Sequence, residues 1–345
     1  VLYSTLKSAS TETRETSGFL GNKNIQRQNI DKIGFAIVKQ IAGNNTNWDV
    51  SELGDNSIVA FINNDSEVII ESEGDIYANS DSSYLFAYIG SSSTCTDTKT
   101  IYNLDLLNTT FAANMEGMFK NTGSNAMTSL DLGDNFDTSN VTKMNNMFEK
   151  TGSNAMISLN LGTGFDTSNV TSMNNMFAEC GLSAMTSLTL GNKFNTKNVT
   201  DMSYMFFETG GGMTSLDLGD NFYTSKVTDM EAMFFETGYG KMTSLDLGPA
   251  FTNMVEDTEE FIFGETGKNG NLTIYASEAI YKNKRSFKKD ENTDTLTNTV
   301  TTGTIEPKYR TEWVKESTTV DTTNKNMQIT LRGRTNAEAG KDYIS

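Results

Sequence analysis

The stretch "FDTSNVTKMNNMF" at residues 136–148 decides the fold, because the chain keeps rewriting it. It returns as "FDTSNVTSMNNMF" at 165–177, then in altered form as "FNTKNVTDMSYMF" at 194–206 and "FYTSKVTDMEAMF" at 222–234. The Met-Phe pairs fall at Met118-Phe119, Met147-Phe148, Met176-Phe177, Met205-Phe206 and Met233-Phe234, spaced 29, 29, 29 and 28 residues apart. A fixed period of this size marks a chain built from stacked units. A second anchor keeps step: "SLDLG" at 129, "SLNLG" at 158, "SLTLG" at 187, and "SLDLG" at 215 and 244.

Leu130 and Leu132 alternate with Ser129 and Asp131, the period of a short half-buried strand. Val141, Met144, Met147 and Phe148 then follow at i, i+3, i+6 and i+7, the spacing of an apolar helical face, with "DTSN" supplying N-cap candidates. Each unit reads as strand, turn, short helix, turn. The predicted architecture is α/β, an LRR-like solenoid of 28–29-residue repeats with a β-rich N-terminal cap and a short β C-terminal segment. The corresponding divisions are 1–100 for the cap, 101–285 for the solenoid, and 286–345 for a linker and the start of a β module, with an immunoglobulin-like domain as one option.

A unit offers eight apolar side chains (Met127, Leu130, Leu132, Phe136, Val141, Met144, Met147, Phe148), each worth roughly 1.5 to 3 kcal/mol if fully buried. Ordering its backbone costs on the order of 1 to 2 kcal/mol per residue. One unit cannot fold alone, so the columns of like residues are expected to stack on one another.

Composition narrows the function classes. The chain of 345 residues carries a formal net charge of −17, which disfavours nucleic acid and anionic membrane as partners. It has no histidine, and therefore lacks the commonest general base and transition-metal ligand. Two cysteines, Cys95 and Cys180, make neither a disulfide framework nor a four-ligand zinc site. No apolar run is long enough to insert into a membrane. The chain starts at Val1 without a leader pattern and is read as a mature or excised fragment.

Several recurring residues invite a chemical reading beside a packing one. Sixteen of the 17 methionines lie between Met115 and Met254, in columns that Leu and Val use elsewhere, so packing is preferred to a thioether metal ladder. "NVT" at Asn140, Asn169 and Asn198 matches a glycosylation acceptor but also opens each predicted helix, and a capping role is preferred. Cys180 is the odd member of the column Thr122, Thr151, Cys180, Thr209, Thr237, with no histidine to activate it. The column Asp131, Asn160, Thr189, Asp217, Asp246 is expected to face outward, as a solvated face or a site for calcium or a cationic ligand. Aromatics gather in the later units. Tyr204 stands where Asn146 and Asn175 do; Phe207 and Phe235 replace Lys120, Glu149 and Ala178; Tyr223 replaces Asp137 and Asp166; Tyr239 replaces Ser124 and Ser153. These rings either cover the end of the core or form a binding patch. A basic cluster (Lys282, Lys284, Arg285, Lys288, Lys289) reads as a solvated cap helix.

The text "SLDLGDNFDTSNVTKMNNMF" and its copies, with "WDVSELGDNSIVAF" and "DSSYLF" upstream, resembles the BspA-like leucine-rich surface proteins of bacteria over about residues 30–280. The resemblance implies an LRR-like solenoid, export to the cell surface, and adhesion to a host or matrix protein or a glycan. The units here are longer than that family's, because the link after Met-Phe ("EKTGSNAM") is extended. The asparagine expected after each strand is also not retained (Asn135, Gly164, Lys193, Asn221, Ala250). The family supplies no catalytic residues and no cofactor. The expected function is therefore non-enzymatic adhesion or recognition at the bacterial cell surface. Asp131, Asp217, Asp246, Tyr204, Phe207, Tyr223, Phe235 and Tyr239 are its candidate contacts. The alternatives are a passive surface stalk and an accessory module of a secreted enzyme.

Overall fold

The computed structural model describes residues 1–2, 18–40, 47–63, 66–255, 262–266, 272–277 and 279–280, together with the strand backbones of 295–298, 301–309, 314–321, 326–332 and 343–344. The basic cluster between Lys282 and Lys289 lies outside the described residues. At the N-terminal end, five strands order as Trp48–Asp49, Ile58–Ile62, Glu67–Ser72, Lys32–Ile37 and Ile101–Tyr102. The first three are antiparallel neighbours and the last two join in parallel. Glu67–Ser72 buries every second side chain, as its alternating sequence "EVIIES" requires.

The leucine motifs form short parallel strands in exact register with the repeat. Leu130 pairs with Leu159 and Leu159 with Leu188; after an interruption, Leu216 pairs with Leu245 and Leu245 with Ile274. The interruption falls between Ser187–Leu188 and Ser215–Asp217, where the period drops to 28. The missing residue is in the link: Met176 to Met185 spans nine positions, Met205 to Met213 only eight.

The helix predicted over Val141–Phe148 is not there, which overturns the α/β strand-turn-helix reading. No described residue between Leu104 and Ser277 is α-helical. This segment is instead a second parallel ladder. Its amides alternate: those of Asn146, Phe148 and Lys150 donate to Asn174, Met176 and Ala178 of the next coil at 2.8–2.9 Å, while those of Met147, Glu149 and Thr151 donate back three residues. Asn146 and Lys150 both have φ of +58°, and their counterparts Asn175, Glu179, Tyr204 and Glu208 are also left-handed. Such a residue cannot continue a right-handed helix. Successive turns still return a side chain to the interior at every third position (Val141, Met144, Met147), which is how they mimic a helical period.

All eight apolar side chains of the unit are at most 2% exposed, and the 16 methionines of the repeat region are core residues. Phe119, Phe148, Phe177, Phe206, Phe234 and Phe263 form one stacked file, with centroids 5.4–5.5 Å apart. The interior is also polar in two places. Thr109, Thr138, Thr167 and Thr196 donate their hydroxyls to the carbonyls of Asp137, Asp166, Asn195 and Tyr223 in the next coil. Thr122, Thr151, Thr209 and Thr237 donate to Phe86, Phe119, Phe177 and Phe206 in the preceding one. These threonines are buried, so each hydroxyl is matched and costs little.

The first coil lies within the N-terminal region. Tyr84, Phe86 and Tyr88 donate to Glu116, Met118 and Lys120, so "SSYLF" is a true member of the second ladder. Among the described residues no earlier coil donates to its outward carbonyls. Arg27, 4% exposed, fills that role: one guanidinium nitrogen reaches the carbonyls of Leu85 at 2.9 Å and Ala87 at 3.3 Å, and also that of Tyr84 at 2.9 Å, which accepts the Ala87 amide as well. At the other end, Leu272–Ser277 pairs in parallel with Thr301–Tyr309, and Val314–Asp321, Asn326–Arg332 and Tyr343–Ile344 make a separate antiparallel sheet.

Candidate functional site

The acidic column proves to be turn chemistry. Asp131, Asp217 and Asp246 each accept, through Oδ1, the amide of the glycine two residues on, at 3.0, 2.8 and 3.1 Å. Those glycines, Gly133, Gly219 and Gly248, have φ of +74° to +75°, so each carboxylate closes a turn that needs the left-handed glycine. Asn160 does the same for Gly162 and donates to Asp131 Oδ1 at 2.9 Å. Asp131 and Asp217 are exposed, but Asp246 is buried, so the column does not face outward throughout.

The asparagines of "NVT" do not cap helices. Asn140, Asn169 and Asn198 donate their side-chain amides to Thr110, Ser139 and Ser168 of the preceding coil at 2.7–2.9 Å. Asp137 and Asp166 of "DTSN" bind the amides of Ser139 and Ser168, both at 2.8 Å. Both cysteines are buried free thiols. Burial, with Asp31 nearby, pushes the Cys95 thiol up to about 11, and burial alone raises Cys180, so neither is a thiolate at neutral pH.

The aromatic candidates divide. Tyr204 meets Phe207 edge to face at 5.6 Å, and Phe207 stacks on Phe235 at 5.5 Å, so these three form one half-exposed group on the second ladder. The Tyr204 hydroxyl donates to Glu231 at 2.6 Å, a bond that, with burial, pushes its pKa up to about 12. Glu208 beside Phe207 is raised by burial, then by Glu236 and Glu179, against an opposing Lys150. Tyr223 and Tyr239 are exposed in other columns.

A feature missed in the sequence is a groove of about 610 Å³ where the N-terminal sheet meets the first coils. One column of its lining is Asp75, Leu106, Asn135, Gly164 and Lys193. Beside it runs Asn108, Asp137 and Asp166, a column that continues past the groove as Asn195 and Tyr223. Asp75, Asp105, Asp134, Asp137 and Asp166 all line it, and none makes an ion pair among the described residues. Aligning the columns from Asp75 to Lys193 would have exposed it. Instead, Asp137 and Asp166 were absorbed into a helix-capping motif.

The fold defines a class: a repeat protein of stacked 28- and 29-residue coils. Three overlapping matches to one family model, at residues 91–210, 153–275 and 182–300, cover more than half of the chain. The protein belongs to that family, described as Mycoplasma protein of unknown function, DUF285. The match agrees with the reading of a repeat-bearing surface-type family but does not name the BspA-like group. No match is found among curated proteins or among solved structures.

Proposed function

We propose that this chain is a non-enzymatic recognition or adhesion segment of a bacterial surface protein, displayed outside the cell and contacting a host or matrix protein or a glycan. The observation that carries the reading is the contiguous group Tyr204, Phe207 and Phe235, partly exposed on a frame whose earlier coils hold Asn, Lys, Glu or Ala at the same positions. A regular scaffold with a local aromatic departure is how stacked repeats acquire a contact surface. The repeat text, of the kind found in BspA-like surface proteins, supports the location.

The test uses the molecule's own alternatives. A variant with Tyr204→Asn, Phe207→Ala and Phe235→Ala copies residues already tolerated at Asn175 and Ala178. The parent protein, screened against matrix proteins, mucins and glycans, should bind at least one, and the variant should bind it at least about tenfold more weakly. No binding by the parent, or equal binding by the variant, would overturn the proposal. Equal cell attachment by the variant is the outcome expected of a passive stalk.

A further inference from the structure

We infer that the groove at the junction of the N-terminal sheet and the first coils seats an extended, Lys- or Arg-bearing peptide segment of a protein partner. Three independent features converge there. First, the site is concave and runs along the stack. From Asp75 to Lys193 its lining crosses four coil-to-coil steps of about 4.8 Å each, a length an extended chain covers with about six residues. Second, its carboxylates pair with no cation among the described residues. Asp137 and Asp166 each commit Oδ1 to a turn amide, which leaves Oδ2 of each for a ligand. Third, apolar side chains stand open beside the carboxylates: the lining Ile37 is 47% exposed, and Phe111, next in the chain to the lining Thr110, is 60% exposed.

Lysine and arginine match that combination: a charged head for the carboxylates and an aliphatic stem for Ile37 and Leu106. The ring of Phe111, beside the lining Thr110, offers a cation–π face at the N-terminal end. Phe111 is already held against Tyr77, at 5.4 Å between centroids. Lys193 marks the end of the attractive stretch, since it repels a cationic ligand and pairs with none of the groove's acids. A compact metal ion fits poorly, because the acids are strung over successive coils rather than gathered. Among the described residues no group of three or more candidate metal ligands is assembled.

The inference rests on the reading of the chain as a recognition segment and narrows its partner, and a titration with defined peptides tests it separately from the ligand screen. The whole chain is titrated by calorimetry with an end-blocked hexalysine and with the same peptide fully Nε-acetylated. Hexalysine should bind one site, and the acetylated peptide should not bind. The double variant Asp137→Asn, Asp166→Asn keeps both Oδ1 acceptors, and Asn195 already occupies the same column. It should bind hexalysine roughly tenfold more weakly, whereas Lys193→Gln should bind it more tightly. The double variant Asp217→Asn, Asp229→Asn, which removes the same two charges outside the groove and keeps both Oδ1 acceptors, serves as the control for net charge. The inference is overturned if hexalysine does not bind, if the groove double variant binds it as well as the parent, or if the control double variant weakens binding as much as the groove variant does.

Discussion

Replacing Cys180 with threonine should stabilise this protein, and the reason is a gap in an otherwise regular file. Thr122, Thr151, Thr209 and Thr237 each donate a hydroxyl at 2.6–2.7 Å to a phenylalanine carbonyl in the preceding coil. Cys180 occupies the matching position, fully buried, opposite the carbonyl of Phe148. That carbonyl accepts the amide of Thr151 at 3.0 Å, and a thiol supplies at most a weak second donor. Cysteine and threonine differ little in size, so the substitution changes mainly the hydrogen bond. Cys180→Thr should gain about 0.5–1.5 kcal/mol, the net worth of one such bond. For a cooperative body of this size that raises the melting midpoint by roughly 1–3 °C. The mirror variant, Thr151→Cys, should lose a similar amount. Differential scanning calorimetry on the three proteins, with hydrogen exchange at the amides of residues 148–151 to localise the effect, measures both. A drop in midpoint for Cys180→Thr together with no change for Thr151→Cys would refute the reasoning, because it would mean that the hydroxyl file contributes nothing.

Three further outcomes are expected. Asn146→Gly should leave stability within a few tenths of a kcal/mol or raise it, whereas Asn146→Val should cost about 1–3 kcal/mol, because φ is +58° there; in a helix glycine would instead cost about 1 kcal/mol, so urea midpoints separate the two backbones. Arg27→Met should lose about 2–3 kcal/mol, since three carbonyls lose a charged donor, and exchange protection should fall first across residues 84–88. Glu208 has a raised folded-state pKa, so the folded protein keeps that proton where the unfolded chain has released it, and ionisation costs stability as pH rises from the ordinary value of 4.5 through the raised one. Glu208→Gln should therefore be more stable than the parent above that interval and equal to it below pH 4.5, read from urea midpoints across the pH range.

The strand half of the unit was legible because "SLDL" shows its alternation directly, and the 29-residue period placed Leu130 over Leu159 without ambiguity. The other half was not, because Val141, Met144 and Met147 recur every third residue for two different physical reasons. A helix does so through its pitch, and consecutive three-residue turns do so through repeated reversal. Asn146 and Asn175 carry part of the signal, since asparagine tolerates the left-handed conformation, but Lys150 and Glu179 sit left-handed without the glycine or asparagine that usually announces it. The aromatic trio was visible as a column anomaly, but only coordinates show that Tyr204 touches Phe207 while Tyr223 belongs to another face. The groove escaped notice because its acids come from separate coils and from the N-terminal region, and their short-range neighbours, such as Ser139 for Asp137, explained each one locally.

The bridge Asn114↔Lys143 is followed by Lys143↔Ser172, Ser172↔Asp201 and Asp201↔Asp229, so every interior coil offers its successor the same hydrogen-bonding edge that it received. The ends of the array differ: Arg27 meets the carbonyls of the first coil, and Leu272–Ser277 passes the leucine ladder on to Thr301–Tyr309. Insertion or loss of one whole 29-residue unit would thus leave both end contacts intact while changing the reach of the molecule by about 4.8 Å. Unequal exchange between near-identical stretches of its gene would act as a molecular ruler, setting how far the far end stands from its base in discrete increments.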